Sequence, residues 1–265
     1  MNYSMKIEDL LEKIRYLGDS YPTNELNEII ARKEEAIPVL MKILKQVSSN
    51  PKGFQEPGRM DYLYAIMLLA QFQIKEGFYP FLDTLRLPND LALELYKEFF
   101  NKDTGRIIAS MYSGEEIWKD GIVQHPELDA ILELINDSTL DVYIRAAGFD
   151  AIENLVLQNR LPKEIVQYYY HDLLQENLND DTGLLCNELI LSCIQLDFPE
   201  MLDDIKDAFE TRRIVPAFLS LEDVEAYFNS EDKEIYLNDC SPITDIHLEI
   251  PDWPCYSKSS SIVIK

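Results

Sequence analysis

Three consecutive tyrosines, Tyr168, Tyr169 and Tyr170, are the residues whose type and spacing best suit recognition chemistry. They fall in a stretch with helical periodicity, where successive side chains point in directions about 100° apart. The three rings therefore cover most of the helix circumference, and at least one of them should be exposed. Tyrosine is enriched at the energetic centre of protein interfaces because it joins apolar area to a hydroxyl group. The run predicts a contact with a partner, with packing against the next repeat unit as the alternative.

The other chemistry-bearing residues lack the spacing of a catalytic or metal site. The three histidines, His125, His171 and His247, form no HExxH or HxxxH pair, which a zinc site on a helix would need. Cys186 and Cys193 lie seven residues apart in an apolar setting, which indicates buried small hydrophobic side chains. The sequence has no GxSxG, GxxxxGK or GxGxxG motif. We therefore predict no catalytic residue, no metal, no cofactor and no enzymatic activity.

The charge balance narrows the classes of partner. The 265 residues include 48 acidic and 24 basic side chains, which gives a net charge of −24. Proteins that bind polyanions use clustered lysine and arginine to displace counterions, and no such cluster occurs here. Nucleic acid and an anionic membrane are therefore excluded as expected partners. The excess of acid indicates a soluble protein, and a basic partner protein stays open.

Targeting signals point to the cytoplasm. The first residues lack the cationic start and unbroken apolar core of a signal peptide, and no apolar run reaches the length of about 18 residues needed to span a bilayer. The four cysteines form no CxxC motif, so free thiols in a reducing compartment are expected. We predict a cytoplasmic protein.

Residues 137–176 show most clearly which elements must position the tyrosines. Their first half carries apolar residues at steps of three and four, which places them on one helix face: Val142, Ala146, Phe149, Ile152, Leu155 and Val156. Pro162 then opens a second helix, where the missing N–H is harmless. A pair of helices like this cannot bury its apolar faces alone and needs neighbouring pairs.

The same plan recurs along the chain. Five prolines, each ahead of an apolar run, follow one another at intervals of 42, 46, 36 and 37 residues: Pro38, Pro80, Pro126, Pro162 and Pro199. A period near 40 is typical of two-helix HEAT-type repeats. We predict an all-α fold, namely an α-α superhelix or HEAT-like solenoid of about five two-helix units spanning residues 1–229.

The remainder, residues 230–265, is predicted to be a short extended C-terminal tail. Ile246, Leu248 and Ile250 alternate with polar residues, and three nearby prolines disfavour helix. The tail could cap the last repeat, or it could offer a strand to the sheet edge of a partner. We favour capping, because terminal repeats need cover.

Two resemblances support this architecture. Asp141–Val142 followed by Arg145–Ala146–Ala147 resembles the HEAT-repeat signature. The resemblance implies that Arg145 is structural. It would pair with Asp141, four residues earlier on the same helix, or with an acid of a neighbouring unit such as Asp137 or Asp181.

Over residues 25–223 the chain also resembles an uncharacterised bacterial family, domain of unknown function 1186. The similar segments are IARKEEAIPVLMKIL, YAIMLLAQF, YIRAAGFDAI, ETRRI and LEDVE. This resemblance implies a helical-repeat fold and no established activity. Some family members carry a C-terminal zinc motif, but Cys240, His247 and Cys255 are too far apart to form it.

Two functions remain. The first is a non-catalytic scaffold that binds another protein through a concave surface lined by the second helix of each unit. The alternative is an enzyme or small-molecule binder whose carboxylates and tyrosines converge in a groove between repeats. A deep pocket with carboxylates of shifted pKa would favour the alternative, and a shallow groove would favour the scaffold.

Overall fold

The fold is all-α, as predicted, with one short β-hairpin. The computed structural model describes residues 5–88, 91–98, 100–178, 182–211, 213–230 and 240–256. The chain divides into two compact units. Unit 1 comprises Met1–Asp103, Ser110–Tyr112 and Ile243–Lys265, and unit 2 comprises Thr104–Ala109 and Ser113–Pro242. No helix of the described residues is both long and apolar enough to span a bilayer.

Unit 1 is built from helices at both ends of its sequence. Its helices are α1 (Ile7–Lys13), α2 (Thr23–Ala31), α3 (Lys33–Ser49), α4 (Asp61–Gln71), α5 (Phe78–Leu85) and α6 (Leu91–Tyr96). The chain passes from unit 1 to unit 2 within α7 (Phe100–Met111). Helix α4 is buried on all sides from Asp61 to Ala70, as a helix that is apolar around its whole circumference should be.

Unit 2 contains the two helices predicted for residues 137–176 among the six further helices of its described residues. Its further helices are α8 (Pro126–Asn136), α9 (Val142–Leu157), α10 (Lys163–Asp172), α11 (Leu184–Gln195), α12 (Leu202–Glu210) and α13 (Leu221–Asn229). Helix α9 packs against α8 and α11. Two glycines allow close approach: a β-carbon at Gly105 of α7 would meet Asp150 and the backbone nitrogen of Ala151 at 2.9 Å, and one at Gly148 would meet Ile135. The superhelical arrangement of the repeats stays a prediction.

Four of the five marker prolines lie at or near helix starts. Pro126 is the first residue of α8, Pro162 immediately precedes α10, Pro199 opens the turn before α12, and Pro80 lies in the first turn of α5. Pro38 differs, because it lies inside α3. The break between α2 and α3 instead falls at Arg32, whose φ of −113° and ψ of 39° are not helical.

Unit 2 also contains a β-hairpin that the repeat pattern does not predict. Strands β1 (Ile117–Lys119) and β2 (Ile122–Gln124) pair antiparallel. The two-residue turn between them, Asp120–Gly121, has φ angles of 52° and 80°. Positive φ at both positions is typical of a type I′ turn, which Asp-Gly favours.

The prediction of an extended C-terminal tail is wrong for residues 246–252. These residues form α14 (Ile246–Glu249) and a 3-10 turn (Ile250–Asp252). Asp245 caps α14 by accepting a hydrogen bond from the backbone N–H of His247 at 2.9 Å. Ile246 and Ile250, four residues apart, are both buried while Leu248 is exposed. The apolar residues therefore follow a helical period rather than an alternating one.

The described part of this segment packs within unit 1. The backbone N–H of Ile246 donates to Gln71 Oε1 of α4 at 2.8 Å, and the Tyr21 hydroxyl lies 2.9 Å from His247 Nδ1. Trp253 is buried. The expectation that the tail caps the last repeat is therefore wrong for Ile243 onward, since these residues join the unit that holds the first helices. Residues 231–239 and 257–265 of the predicted tail lie outside the described residues.

Candidate functional site

The three tyrosines of α10 lie in three different environments. Tyr168 is 72% exposed, Tyr169 is half-buried and Tyr170 is buried. The prediction that at least one ring is exposed is confirmed. Tyr170, predicted as a partner contact, is instead a core residue and cannot reach a partner, because α10 turns that side of the helix inward.

Tyr170 packs in the interior of unit 2. Its ring meets those of Phe149 and Phe198 edge-on, with centroids 5.9 and 6.1 Å away. Its hydroxyl lies 2.8 Å from Ser192 Oγ of α11. Burial, with a contribution from the charge of Glu153, raises the pKa of Tyr170 well above its ordinary value. Tyr170 therefore stays neutral and joins α10 to α9 and α11.

Tyr169 fixes the position of its exposed neighbour. Its hydroxyl donates to Asp129 Oδ1 of α8 at 3.4 Å, and its ring meets that of Tyr168 edge-on at 5.6 Å between centroids. Burial and the charge of Asp129 raise the pKa of Tyr169, so its hydroxyl keeps the proton that it donates. The contact restrains the Tyr168 ring before any partner binds, which lowers the entropy lost on binding.

The other side of α10 is joined to α12 by polar side chains. His171 Nδ1 lies 2.6 Å from Asp204 Oδ2, and Gln175 donates to the other oxygen of Asp204 at 2.6 Å. Gln167 donates to Glu200 at 3.2 Å. The sequence carries no signal for this contact, because Asp204 lies 33 residues from His171.

Side chains of α8, α10, α12 and the turn before α12 thus form one polar and aromatic surface. We call it the tyrosine–acid surface and define it by Asp129, Gln167, Tyr168, Tyr169, His171, Glu200 and Asp204. Asp129 and Glu200 are exposed, and Asp203 adds a further exposed carboxylate in the first turn of α12. An aromatic ring among carboxylates attracts a positively charged partner and offers it apolar contact area.

Arg145 and Asp141 both have structural contacts. Asp141 accepts a hydrogen bond from the backbone N–H of Tyr143 at 2.8 Å and so caps α9. Arg145 is buried, and its Nε donates to the backbone carbonyl of Ile135 at 2.7 Å. That carbonyl lies in the last turn of α8, where helix carbonyls lack intrahelical partners. An ion pair between Arg145 and Asp141 stays a prediction, and Asp181, a further predicted partner of Arg145, lies outside the described residues.

Sequence reasoning missed a second group of polar residues on the first helices of unit 2. We call it the inner polar cluster and define it by Arg106, Asp150, Asn154, Gln158 and Gln195. Asp150, Asn154 and Gln158 follow at intervals of four along α9. That polar stripe on a mostly apolar helix is the signal in the sequence, because it repeats at a helical period.

The chain's own segment at Cys240–Ser241 lies against the inner polar cluster. Gln158 donates to the carbonyl of Cys240 at 3.0 Å, and Arg106 donates from Nε to the carbonyl of Ser241 at 2.9 Å. Burial, reinforced by the charge of Glu188, raises the pKa of Asp150 to about 7. This carboxyl group therefore changes its charge near neutral pH.

The cysteines and histidines bring no metal site together in the part of the chain that the structure describes. Cys186 and Cys193 are buried and form no disulfide, as predicted. Burial raises the pKa of the Cys193 thiol, so it stays protonated. A thiol without thiolate character is a poor nucleophile.

The similarities of this chain to known proteins extend over nearly its full length. A family model described as "Protein of unknown function (DUF1186)" matches residues 5–257. An uncharacterized protein of Chlamydia trachomatis serovar D is 24% identical over 244 residues, which cover 92% of each chain. An uncharacterized protein of Chlamydia muridarum is 24% identical over 243 residues, which cover 91% of this chain and 92% of the relative. No solved structure matches the chain.

Proposed function

We propose that this chain, which belongs to the protein family of unknown function DUF1186, is a non-catalytic protein that binds another protein through its tyrosine–acid surface. The observation that carries the proposal is Tyr168, which is 72% exposed yet restrained by Tyr169. A restrained, exposed tyrosine has the character of an interface anchor, because it adds contact area at little entropic cost. A HEAT-like superhelix in the cytoplasm is part of the same proposal.

The chemistry of the surface selects a basic partner. Asp129, Glu200 and Asp203 are exposed carboxylates, and the first two accept hydrogen bonds from Tyr169 and Gln167, the neighbours of the anchor in sequence. The whole chain carries a net charge of −24. Opposite charge on the partner would raise the association rate, and this effect would weaken as salt screens it. The expected partner is a protein segment rich in lysine or arginine that covers Tyr168 with an apolar side chain.

The proposal is tested by placing a photo-crosslinking amino acid at position 168 in the source cells. Tyr143 on α9 is 62% exposed and lies outside the tyrosine–acid surface, so position 143 is the matched control. A protein crosslinked from position 168 and not from 143 is then purified, and its Kd is measured by calorimetry. Tyr168→Ala should weaken binding by about tenfold or more, and Tyr143→Ala should leave it within about twofold.

Two results would contradict the proposal. One is the absence of any reproducible crosslinked protein at position 168. The other is equal binding of a crosslinked partner by the wild type and the Tyr168→Ala variant. A Kd that does not rise with salt would remove the basic character assigned to the partner but leave the binding itself.

The raised pKa of Asp150 favours one second candidate, a small-molecule or catalytic site at the inner polar cluster. A carboxyl group that titrates near pH 7 suits general acid–base chemistry. Against it, Cys240 and Ser241 already occupy hydrogen-bonding groups of the cluster. A thermal-shift screen of small metabolites separates the two candidates: hits that vanish in Asp150→Asn and persist in Tyr168→Ala would support the second.

A further inference from the structure

The β-hairpin of unit 2 displays a large apolar side chain to solvent. Trp118 of β1 is 72% exposed, and its neighbour Ile117 is also exposed. An exposed tryptophan is uncommon, because this side chain carries the largest apolar area of any residue and usually buries most of it.

The base of the hairpin is firmly anchored. The buried carboxylate of Glu127 in α8 accepts hydrogen bonds at Oε2 from the backbone N–H and the hydroxyl of Ser113, at 2.6 and 2.8 Å. The backbone N–H of Gly114 donates to the same oxygen at 3.1 Å. Charge-assisted hydrogen bonds of this kind are the stronger class. The type I′ turn at Asp120–Gly121 fixes the other end, so Trp118 is displayed on a defined frame.

The outer edge of β1 is available for strand pairing. Within the described residues the two strands form a sheet only with each other. Trp118 lies opposite Val123, and Lys119 lies opposite Ile122 across the turn. A two-residue turn makes the Lys119–Ile122 pair the hydrogen-bonded one, so the next pair is not hydrogen-bonded. The backbone N–H and C=O of Trp118 therefore point away from β2.

The charge around this edge selects what can bind there. Glu115, Glu116 and Asp120 are exposed within five residues of Trp118, against the single cation Lys119. A second copy of this acidic chain would meet like charge, which disfavours self-association. An added strand with lysine or arginine at alternate positions meets opposite charge instead.

We infer that the hairpin is a second docking site, distinct from the tyrosine–acid surface, for an extended segment of a partner protein in which apolar residues alternate with lysine or arginine. The segment adds to the outer edge of β1 as a third strand. Its backbone pairs with that of Trp118, its apolar side chains cover the indole ring, and its cations meet Glu115 and Glu116. This mode of recognition takes affinity from the main chain and specificity from alternate side chains.

The probe is an acetylated seven-residue peptide that alternates valine with lysine, compared with a peptide that carries glutamate in place of lysine. The full chain has two tryptophans, and Trp253 is buried. The lysine peptide should shift the emission of Trp118 to shorter wavelength in a saturable manner, and the glutamate peptide should not. Amide hydrogen exchange at Trp118 should slow on binding, which contact with the side chain alone would not cause.

Variants then show whether Trp118 itself is responsible for binding the peptide. Binding to the Trp118 variants is measured by calorimetry, because they lack the Trp118 fluorophore. Trp118→Ala should weaken binding of the lysine peptide by about tenfold, and Trp118→Phe should retain most of it. Phe218→Ala is the matched control, since Phe218 is 71% exposed elsewhere in unit 2. Tyr168→Ala should also leave this binding unchanged, so failure here does not bear on the tyrosine–acid surface.

Four results would overturn the inference. They are equal binding of both peptides, unchanged exchange at the Trp118 amide, an equal loss in the Phe218→Ala variant, and an emission shift with zwitterionic lipid vesicles. The last would identify the hairpin as a membrane contact. Circular dichroism of each variant, with an unchanged Tm, shows that the fold is retained.

Discussion

The tyrosine–acid surface and the inner polar cluster both contain carboxylates of unit 2, but these carboxylates differ in their surroundings and in how burial affects their pKa. Asp204 is hydrogen-bonded to His171 and Gln175 at a surface where more than half of the His171 side chain is exposed. Asp150 is largely removed from water, and its pKa is raised to about 7. In a chain with 48 acidic residues, the location of a carboxylate decides whether it stabilises the fold, strains it or is free to meet a partner.

The largest effect should come from closing the space beside Asp150. Gly105→Ala would put a methyl group against Asp150 and at 2.9 Å from the backbone nitrogen of Ala151, so α7 and α9 must move apart. Overpacking of this kind should lower the free energy of unfolding by about 3 kcal/mol. Urea denaturation measures it.

Gly121→Ala is a useful comparison, because no atom lies within 4 Å of its added β-carbon and only its positive φ opposes the change. A loss in Gly105→Ala no larger than that in Gly121→Ala would contradict the large cost assigned to packing against Asp150.

The next effect depends on pH. The native state holds the Asp150 proton up to about pH 7, whereas an unfolded aspartate releases it near pH 4. Between these values the native state binds more protons, so the contribution of Asp150 to stability falls as pH rises and is lowest above pH 7. Asp150→Asn removes that loss and should stabilise the protein by about 2 kcal/mol at pH 8 and far less at pH 5.

Chemical denaturation at both pH values tests this difference. Glu210→Gln is the control, since Glu210 is an exposed carboxylate of the same unit and its removal corrects for the lowered net charge. If Asp150→Asn gains the same stability at pH 5 and pH 8, burial does not hold a proton on Asp150.

Asp141 is an intermediate case, half-buried and tied to one backbone N–H. Asp141→Ala should destabilise the protein by about 1 kcal/mol through loss of the helix cap, and Asp141→Asn should change stability little because asparagine also caps. Thermal unfolding distinguishes the two. A large loss in the Asn variant would instead establish the predicted ion pair with Arg145.

The smallest effect is expected at the surface pair. Asp204→Asn should change the free energy of unfolding by about 0.5 kcal/mol, because the contact with the exposed His171 contributes little and asparagine keeps an acceptor oxygen for it. The same variant should reduce the association rate of a basic partner at low salt. A loss of stability as large as that of Gly105→Ala would show that Asp204 contributes to the fold like a core residue. It would contradict the difference proposed between the tyrosine–acid surface and the inner polar cluster.

The local features of this fold were readable from the sequence. Steps of three and four predicted the helix α9, and Pro162 marked the break between it and α10. The exposure of one tyrosine followed from helix geometry alone. The Asp-Gly turn is an equally local signal, but the repeat period predicts helices in this region and does not predict the hairpin.

What the sequence could not supply depends on long-range contacts. His171 meets Asp204 only after α10 and α12 pack side by side. The pKa of Asp150 is raised first by burial within the packed helices and then by the charge of Glu188 from α11. The burial of Ile246 and Ile250 likewise depends on helices that lie at the other end of the chain. Periodicity carries no information about such partners.

The same contacts impose an order on folding during synthesis. Gln71 and Ile246 are 175 residues apart, and Tyr21 and His247 are 226 apart. Unit 1 is therefore translated first but cannot be completed until every helix of unit 2 has been made. While unit 2 is being synthesised, apolar residues of unit 1 remain exposed, and exposed hydrophobic surface promotes aggregation or chaperone binding. Contacts of such high sequence separation also slow folding, so the unit that starts first should be the last to finish.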